Sequence, residues 1–274
     1  MQSTQERGAG MTADPAALKE QWRAAAAEHG FELFGVVSAE VLAEVPFPPN
    51  RCLDVPEGFL PGARSVIVVG MHVWDPLQNA VVTSVLPDGA IPFDDVPGSQ
   101  YYNMYYEITE ARAHRFAETV REAGYRTAVT HFVHGKAAAT LAGLGWIGKQ
   151  TLCITPQLGP HVRFCFVVTD ALLPYDEPFT EDLCGDCDLC VKSCPTQAII
   201  LGVSRGVEPG KKVDFWKCIV PQEMLADPAK AWEKWAPHYS PRGSHECLIC
   251  LDACPVGREE HERRVAAYAS KPPA

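Results

Sequence analysis

The chain has 274 residues, of which 47% are hydrophobic and 21% are charged, as in an ordinary globular protein. Its 24 basic and 34 acidic residues give a net charge of −10, which repels a phosphate backbone and leads us to expect no nucleic-acid partner. No apolar run approaches the ~18 residues of a membrane span, so we expect no membrane insertion.

The first part of the chain predicts alternating helices and strands. Residues 1–13 are polar and small and indicate a disordered lead-in. The pair Asp14-Pro15 predicts the start of a helix that runs to about His29, and the apolar residues 31–37 predict a strand. Residues 65–73 are apolar and β-branched, which predicts a strand buried on both faces.

A long irregular passage with several prolines, residues 74–98, separates that strand from a predicted helix over residues 101–123. Loops of this length often carry function. The helix opens with four tyrosines, and rings with a polar tip serve either in packing and interfaces or in a ligand pocket. Tyr102 and Tyr105 are therefore candidate site residues as well as candidate packing residues.

Two histidines, His131 and His134, lie at or just beyond the end of a predicted strand over residues 125–133. A single histidine in such a place is more often a structural hydrogen-bonding residue than a catalyst. Two of them, directly before a glycine-rich motif, leave both roles open.

Three glycines, Gly143, Gly145 and Gly148, follow a short alanine-rich helix and let the backbone approach a flat or bulky ligand. Their G-x-G-x-x-G spacing occurs in dinucleotide folds, where the glycines follow a strand and open a helix. Here they close a helix and lead into a predicted strand over residues 151–155, which disfavours a dinucleotide site.

The C-terminal third contains the runs C-x2-C-x2-C-x3-C-P and C-x2-C-x3-C-P, which start at Cys184 and Cys247, with Cys218 between them. In the first pattern, three thiolates bind one [4Fe-4S] cluster and the fourth reaches a second cluster. Disulfides would require an oxidising compartment, and no export signal opens the chain, so we expect a cytoplasmic protein. Zinc prefers paired C-x2-C knuckles and leaves the third cysteine and both Cys-Pro endings unexplained.

Two clusters need eight thiolates, and the crossed pattern assigns them. Cluster I is predicted to take three cysteines of the first run and the last of the second, namely Cys184, Cys187, Cys190 and Cys254. Cluster II is predicted to take Cys194, Cys218, Cys247 and Cys250. Cys52 is not assigned, and Cys153 and Cys165 lie in predicted strands as buried apolar residues.

The chain divides at the stretch 170–178, which carries two prolines. We predict a lead-in, a cofactor and substrate domain, a double-cluster domain and a solvated helical tail, over residues 1–13, 14–175, 176–258 and 259–274.

Several motifs together resemble the epoxyqueuosine reductases and the related corrinoid reductive dehalogenases. They are A-G-L-G-W-I-G-K at residues 142–149, T-P-x-x-G-x-x-V-R at 155–163, V-T-D-x-x-L-x-x-D-E-P at 168–178, and the cysteine runs. The resemblance spans about residues 134–257, and the preceding residues match only in outline.

The resemblance implies an α+β protein, with a nitroreductase-like α/β domain that binds cobalamin followed by a bacterial dicluster ferredoxin-like domain. It implies that two [4Fe-4S] clusters relay electrons from a ferredoxin- or flavodoxin-type donor to cobalt. It places the corrin contacts on two motifs: Gly143, Leu144, Gly145, Trp146, Ile147, Gly148, Lys149, Thr155, Pro156 and Arg163. Lys136 stands where the family has a basic residue.

The chain departs from the epoxyqueuosine reductase pattern in two ways. Residues 129–134 lack the aspartate that serves as proton donor in that family, which leaves His131, His134 or a tyrosine of residues 101–106 as candidate donors. The helical-repeat region that helps those enzymes hold tRNA does not follow the last cysteine. With the negative charge, this predicts an oxidoreductase that acts on a small molecule and not on tRNA.

Two other functions stay open at this point. An electron-transfer protein would hold the clusters alone and reduce a corrinoid or flavin partner. FMN is an alternative to cobalamin, because nitroreductase-like domains elsewhere bind FMN.

Overall fold

The protein is described here from a computed structural model, which covers residues 14–46, 54–73, 99–100, 103–194, 197–199, 246–247 and 249–269. The described helices are α1 (Pro15–Glu28), α2 (Ala39–Ala43), α3 (Pro56–Phe59), α4 (Asn103–Glu122), α5 (Gly135–Leu141), α6 (Leu189–Ser193), α7 (Ile249–Asp252) and α8 (Arg258–Ala269). The described strands are β1 (Leu33–Ser38), β2 (Ser65–His72), β3 (Ser99–Gln100), β4 (Thr127–Thr130), β5 (Trp146–Ile147), β6 (Cys153–Ile154), β7 (Val162–Thr169) and β8 (Glu246–Cys247).

Helix α1 begins and ends where the sequence predicts. The Asp14 carboxylate accepts a hydrogen bond from the backbone N–H of Ala16, and Pro15 occupies the first helical position, where its missing N–H costs nothing. Gly30 follows the helix with a φ of 81°, a left-handed conformation that glycine adopts without strain.

Strands β1, β2, β7 and β4 form, in that order, one antiparallel sheet. Val68 of β2 pairs with Gly35 on one side and with Phe166 on the other. Every residue of β1 and β2 is buried, as their continuous apolar runs predict for strands covered on both faces. Among the described strands, β4 pairs with β7 alone, and it is shorter than the predicted strand over residues 125–133.

Helices α1 and α4 contribute the core on one face of the sheet. Trp22 and Phe116 are fully buried there, and their rings pack edge-on against Tyr125 and Phe34. Burial of one such side chain stabilises the fold by about 1.5–3 kcal/mol relative to its exposure. The described residues on this face form one apolar core.

A second core lies on the opposite face, where α2, α3 and α5 cover the sheet. Buried residues of β2 and β7 meet Leu42 of α2 and Ala138 of α5 there. A side chain at Gly35 would put its Cβ 2.5 Å from the carbonyl oxygen of Ala142, so the residue after α5 packs directly on the backbone of β1.

The segment after β7 runs back across the sheet domain and is fixed by Asp176. Its carboxylate accepts hydrogen bonds from Lys19 Nζ and from the backbone N–H of Val36, both at 2.7 Å. The backbone N–H of Asp176 in turn donates to the carbonyl of Val36. The D-E-P motif therefore joins the cysteine region to α1 and β1.

The cysteine region contains α6 and α7, which pack against each other, and then α8. Helix α8 was expected to be a solvated tail, but it contacts the sheet domain: Arg264 forms an ion pair with Glu32, and His261 lies against His72 and His161. Among the described helices, none is both long and apolar enough to cross a membrane.

Candidate metal centre

Four cysteine thiols gather where the first cysteine run meets the end of the second. Cys190 and Cys254 are each only 8% exposed, and Cys184 is half-buried beside them. Burial raises the pKa of the Cys190 thiol to about 11, and negative charge on Cys184, Cys254 and Cys187 raises it further. A Cys190 thiolate therefore needs a compensating cation nearby, and an iron cluster supplies one.

Short turns and helices place these sulfur atoms. The backbone N–H of Cys187 donates to the carbonyl of Cys184, which closes the first C-x2-C turn. Helix α6 then carries Cys190 in its first turn and ends at Cys194. From the second run, Cys254 follows α7, which packs on α6. The described residues fit an iron–sulfur cluster, because four thiols from two distant runs share one partly buried site.

Trp146 of the glycine motif donates its indole N–H to the sulfur of Cys184 over 3.3 Å. Its ring stacks on Phe179 at 5.7 Å between centroids and is part of a small apolar cluster that includes Ile154 and Cys254. An N–H bond to a cluster sulfur stabilises negative charge on that sulfur, and this is one way in which proteins set a cluster's reduction potential.

Lys149 of the same motif holds the first cysteine loop by its backbone. Its ammonium group donates to the carbonyls of Gly185 and Cys187 at 2.8 and 2.7 Å. Trp146 and Lys149 were predicted to contact a corrin, and the contacts described for them are with the cysteine loop.

Two glycines of this motif, Gly145 and Gly148, pack closely on Ile154, the first on its backbone and the second on its side chain. A Cβ at Gly145 would lie 2.0 Å from the carbonyl oxygen of Ile154, and one at Gly148 would lie 2.4 Å from the Ile154 side chain. Strands β5 and β6 pair here as a short hairpin, in place of the longer strand predicted over residues 151–155. The motif therefore brings Trp146 and Lys149 to the cysteine loop.

The T-P-x-x-G motif meets the second cysteine run. Thr155 is buried, and its hydroxyl accepts the backbone N–H of Leu158 within a tight turn closed by Gly159. A Cβ at Gly159 would lie 2.0 Å from the carbonyl oxygen of Val256, and its φ of 63° also favours glycine. This turn packs backbone against backbone on the residues that follow Cys254.

Two of the predicted proton donors, His131 and His134, follow strand β4 in the chain. Nδ1 of His131 is 3.1 Å from the carbonyl oxygen of Phe164, so this nitrogen carries the proton and donates. Its Nε2 faces the carboxylate of Glu110 on α4 at 3.9 Å. His134 caps α5 by accepting the backbone N–H of Ala137, and burial lowers its pKa.

Other predicted site residues have varied surroundings. Leu144 and Ile147 pack on the apolar cores, and the Arg163 guanidinium is buried in β7 and donates to the Val162 carbonyl. Pro156 and Lys136 are exposed.

Tyr105 lies in α4, and Cys250 lies in α7. Cys247 pairs through its backbone with Ser99. The predictions for Tyr102, Cys52 and Cys218 fall outside the described residues.

Cys153 and Cys165 are buried free thiols, as expected of apolar core residues. Burial raises the pKa of Cys153 to about 12 and raises that of Cys165 further, so neither supplies a thiolate at neutral pH.

Sequence reasoning missed Glu110, because its approach to His131 depends on how α4 lies across β4. The only signal was its place four residues before His114 on a predicted helix. The stretch 129–134 has no aspartate, but the fold supplies a carboxylate to the same neighbourhood from another element.

Comparisons with known proteins agree with this site. Residues 177–200 match the family described as "4Fe-4S binding domain". Epoxyqueuosine reductase of Cellulophaga algicola is 28% identical over 210 residues, which cover 76% of this chain and 63% of that protein. The enzyme of that name from Synechocystis sp. is 31% identical, over 72% of this chain and 63% of its own length. The chain thus spans less than two thirds of these two relatives.

Solved structures share the fold. An epoxyqueuosine reductase crystallised with an epoxyqueuosine-modified tRNA stem loop matches 89% of this chain and 66% of its own, with a TM-score of 0.60 at 19% identity. A reductive dehalogenase, whose structure suggests a mechanism for B12-dependent dehalogenation, matches 96% of this chain and 37% of its own, also at 0.60 and with 20% identity.

These comparisons confirm the predicted resemblance to the epoxyqueuosine reductases and the reductive dehalogenases, the mixed α and β fold and the iron–sulfur character of residues 177–200. They do not support the expected exclusion of nucleic acid, because one similar structure is an epoxyqueuosine reductase with a tRNA stem loop.

Proposed function

We propose that the protein is an oxidoreductase that uses two [4Fe-4S] clusters and cobalamin. The observation that carries the proposal is the gathering of Cys184, Cys187, Cys190 and Cys254 beside the indole of Trp146. The sequence relatives, which are named epoxyqueuosine reductases, and the B12-related fold neighbour support the class of reaction.

In this proposal, cluster I is held by those four thiolates, and cluster II by Cys194, Cys218, Cys247 and Cys250. The crossed arrangement places Cys190 and Cys194, at the two ends of α6, on different clusters. Helix α6 has five residues and would carry one ligand of each cluster, Cys190 in its first turn and Cys194 as its C-cap.

When bound, the clusters supply one-electron transfer from a ferredoxin- or flavodoxin-type donor, and the cobalamin supplies a strongly reducing cobalt. The chain's own residues position these groups. Trp146 and Lys149 fix the loop of cluster I, while Gly159 and Gly257 fix the second cysteine run on the sheet domain. A cavity of about 340 Å³, lined by Glu32, Leu33, Gln157, Leu158, Glu260 and Arg264, is at the lower end of ligand-pocket sizes, and we assign no corrin to it.

Glu110 and His131 are the proposed proton source. His131 is oriented by the Phe164 carbonyl, and its second nitrogen faces the Glu110 carboxylate. The two groups lie 3.9 Å apart, and a carboxyl group and an imidazole are both side chains that enzymes use to transfer protons. The pair stands in for the aspartate that residues 129–134 lack. We expect Glu110→Gln to lower turnover by about 100-fold or more without loss of iron.

For the substrate, we retain a small molecule as the first candidate, because the net charge of −10 opposes binding of a polyanion. The second candidate is epoxyqueuosine within tRNA, which is favoured by the names of the sequence relatives. The rival functions are an electron-transfer protein without an organic cofactor and a reductase with FMN.

Anaerobic reconstitution with iron, sulfide and cobalamin, followed by desalting, tests the cofactors. We expect about eight iron atoms per chain and a retained corrin absorption spectrum. Eight iron atoms with no retained corrin would favour the electron-transfer protein, and a retained flavin spectrum after incubation with FMN would favour the FMN enzyme. Four iron atoms or fewer in the wild type would overturn the two-cluster assignment.

The reconstituted protein with a chemical reductant then tests the substrate in two arms. One arm contains tRNA that carries epoxyqueuosine, and the other contains free epoxyqueuosine nucleoside and a halogenated phenol. Turnover of the tRNA alone would exclude the small-molecule proposal. Turnover in the second arm alone would exclude tRNA as the substrate.

A further inference from the structure

Three imidazole rings and one carboxylate lie together where α7 and α8 meet the sheet domain. His72 ends β2, His161 directly precedes β7, Asp252 ends α7, and His261 lies in the first turn of α8. His72 and His161 are only 6% and 2% exposed. None of these four residues has a role in the proposed reductase, and no cysteine is among them.

We infer that His161, Asp252 and His261 form a binding site for one zinc ion that ties the second cysteine run and α8 to the sheet domain. One ligand atom from each of the three residues lies within 4.8 Å of the other two. Ligand atoms about 2.0–2.1 Å from a tetrahedral zinc ion lie about 3.3 Å apart. Nε2 of His161 and Oδ1 of Asp252 are already 3.0 Å apart.

One ring nitrogen among these histidines makes no hydrogen bond with a described residue. Nδ1 of His161 is buried and has no hydrogen-bond partner among the described residues. Since buried polar atoms are nearly always paired, such an atom calls for an explanation. Because Nε2 faces Asp252, the ion would bind Nε2 in place of this hydrogen bond, and the ring proton would then reside on Nδ1, which makes no competing hydrogen bond among the described residues.

The rings of His161 and His261 stack at 3.8 Å between centroids with an angle of 9° between their planes. A metal ion binds an imidazole nitrogen in the plane of the ring, so one ion can reach both rings only if they tilt apart. His261 lies on helix α8 and is half-buried, whereas His161 is almost fully buried, so the proposal requires the His261 ring to tilt.

His72 supports the site from outside the ligand set. Its Nε2 lies 3.1 Å from Nδ1 of His261, where one nitrogen donates to the other. A histidine that binds a metal usually has its other ring nitrogen in such a hydrogen bond, which fixes the tautomer and the ring orientation. His72 therefore directs Nε2 of His261 toward the ion.

The donor set indicates the kind of ion. Two imidazoles and one carboxylate match zinc sites with three protein ligands, whereas calcium and magnesium prefer oxygen ligands alone. The absence of thiolate from the set separates this site from the iron clusters. Because Asp252 precedes Cys254 by two residues, an ion here would also hold the second cysteine run in place.

The test uses protein whose cysteines are already filled with iron and sulfide. One equivalent of zinc chloride is added anaerobically, the protein is desalted, and zinc and iron are both measured by mass spectrometry. X-ray absorption at the zinc edge then identifies the ligands. We expect about one zinc per chain with nitrogen and oxygen at about 2.0 Å and no sulfur at about 2.3 Å.

Variants connect the ion to these residues. His161→Gln and Asp252→Asn should each weaken zinc binding at least tenfold with the iron content unchanged, whereas His29→Gln, at the end of α1, should bind as the wild type does. Should His161→Gln fail to fold, Asp252→Asn decides, because the Asp252 side chain is 58% exposed and its loss is tolerated. No retained zinc, sulfur ligation in the wild type, or unchanged binding by Asp252→Asn would each overturn the site. The iron clusters of the proposed reductase would stand in all three cases.

Discussion

The sheet domain and the cysteine region are stabilised by different interactions. On the sheet, residues such as Trp22 and Phe116 are fully buried between helices and strands, and the core is apolar on both faces. The cysteine region has short helices of four or five residues and exposed apolar side chains such as Leu183 and Leu189. Helices as short as α6 and α7 are not stable alone, so we expect them to depend on bound metal and on contacts with the rest of the protein.

The described contacts between the two regions are specific, and they include the ion pair of Arg264 on α8 with Glu32. Trp146 and Lys149 reach the first cysteine loop, Gly159 meets the second run, and Asp176 fixes the connection. The sequence motifs after β4 therefore connect the apolar sheet domain to the region that carries the cysteine ligands.

Loss of a buried cluster ligand should have the largest effect. Cys190→Ser removes one of four proposed thiolates, so we expect iron to fall from about eight to about four atoms per chain. The sheet domain should keep its secondary structure by circular dichroism, because no core residue changes. Cys165→Ala, another buried cysteine, is the control and should retain all the iron. Eight iron atoms in Cys190→Ser would refute the ligand assignment.

A cavity in the sheet core should lower the stability of the fold and leave the iron content unchanged, which is the reverse of the result expected for Cys190→Ser. Phe116→Ala removes a fully buried ring and should lower the free energy of unfolding by about 3–5 kcal/mol, measured by urea denaturation of the reconstituted protein. Leu172→Ala, at a side chain that is exposed, should change it by less than about 0.5 kcal/mol. Loss of iron from Phe116→Ala under native conditions would show that the two regions are not independent.

Removal of the Asp176 charge tests the connection between the regions. Asp176→Asn leaves the ammonium of Lys19 buried without its counter-ion, and this should cost about 2 kcal/mol. This cost is lower than the cost of breaking a fully buried ion pair, because the Asp176 side chain is 28% exposed. Glu177→Gln, at the exposed neighbouring position, is the control. Equal unfolding free energies for the two variants would contradict the proposed role of Asp176.

The smallest expected effect is a change in the reduction potential of cluster I when the indole N–H of Trp146 is removed. Trp146→Phe keeps the ring but removes the N–H donor to Cys184, so negative charge on the sulfur is less stabilised and the reduction potential should fall. We expect a decrease on the order of tens of millivolts, measured by redox titration with electron paramagnetic resonance. Trp22→Phe, in the sheet core, should leave the potential unchanged. A potential that does not move in Trp146→Phe would show that this hydrogen bond does not tune the cluster.

Much of the fold was predictable because the signals are local. The pair Asp14-Pro15 before an apolar helix and the continuous apolar run of β2 predicted their elements within a few residues. The spacing of the cysteines likewise predicted iron–sulfur chemistry, and residues 177–200 match a 4Fe-4S family. Helix-cap residues, hydrophobic periodicity and the spacing of metal ligands all depend on residues that are close together in the chain.

The partners of the glycine motif were not predictable from its spacing. Three glycines indicate that backbone comes close to something, but not what that neighbour is. In the fold, the neighbour of Gly145 is Ile154 and that of Gly159 is Val256. The proximity of Glu110 to His131 likewise depends on a helix that crosses the edge of the sheet.

The sequence by itself therefore determined the sheet strands, the main helices and the presence of iron–sulfur ligands, because each of these depends on residues within a short segment of the chain. Only the tertiary structure decided that Trp146 and Lys149 face the cysteine loop, that Glu110 lies beside His131, and that α8 is docked on the sheet domain. These contacts join residues that are between 20 and more than 200 positions apart, and packing rather than local preference brings them together.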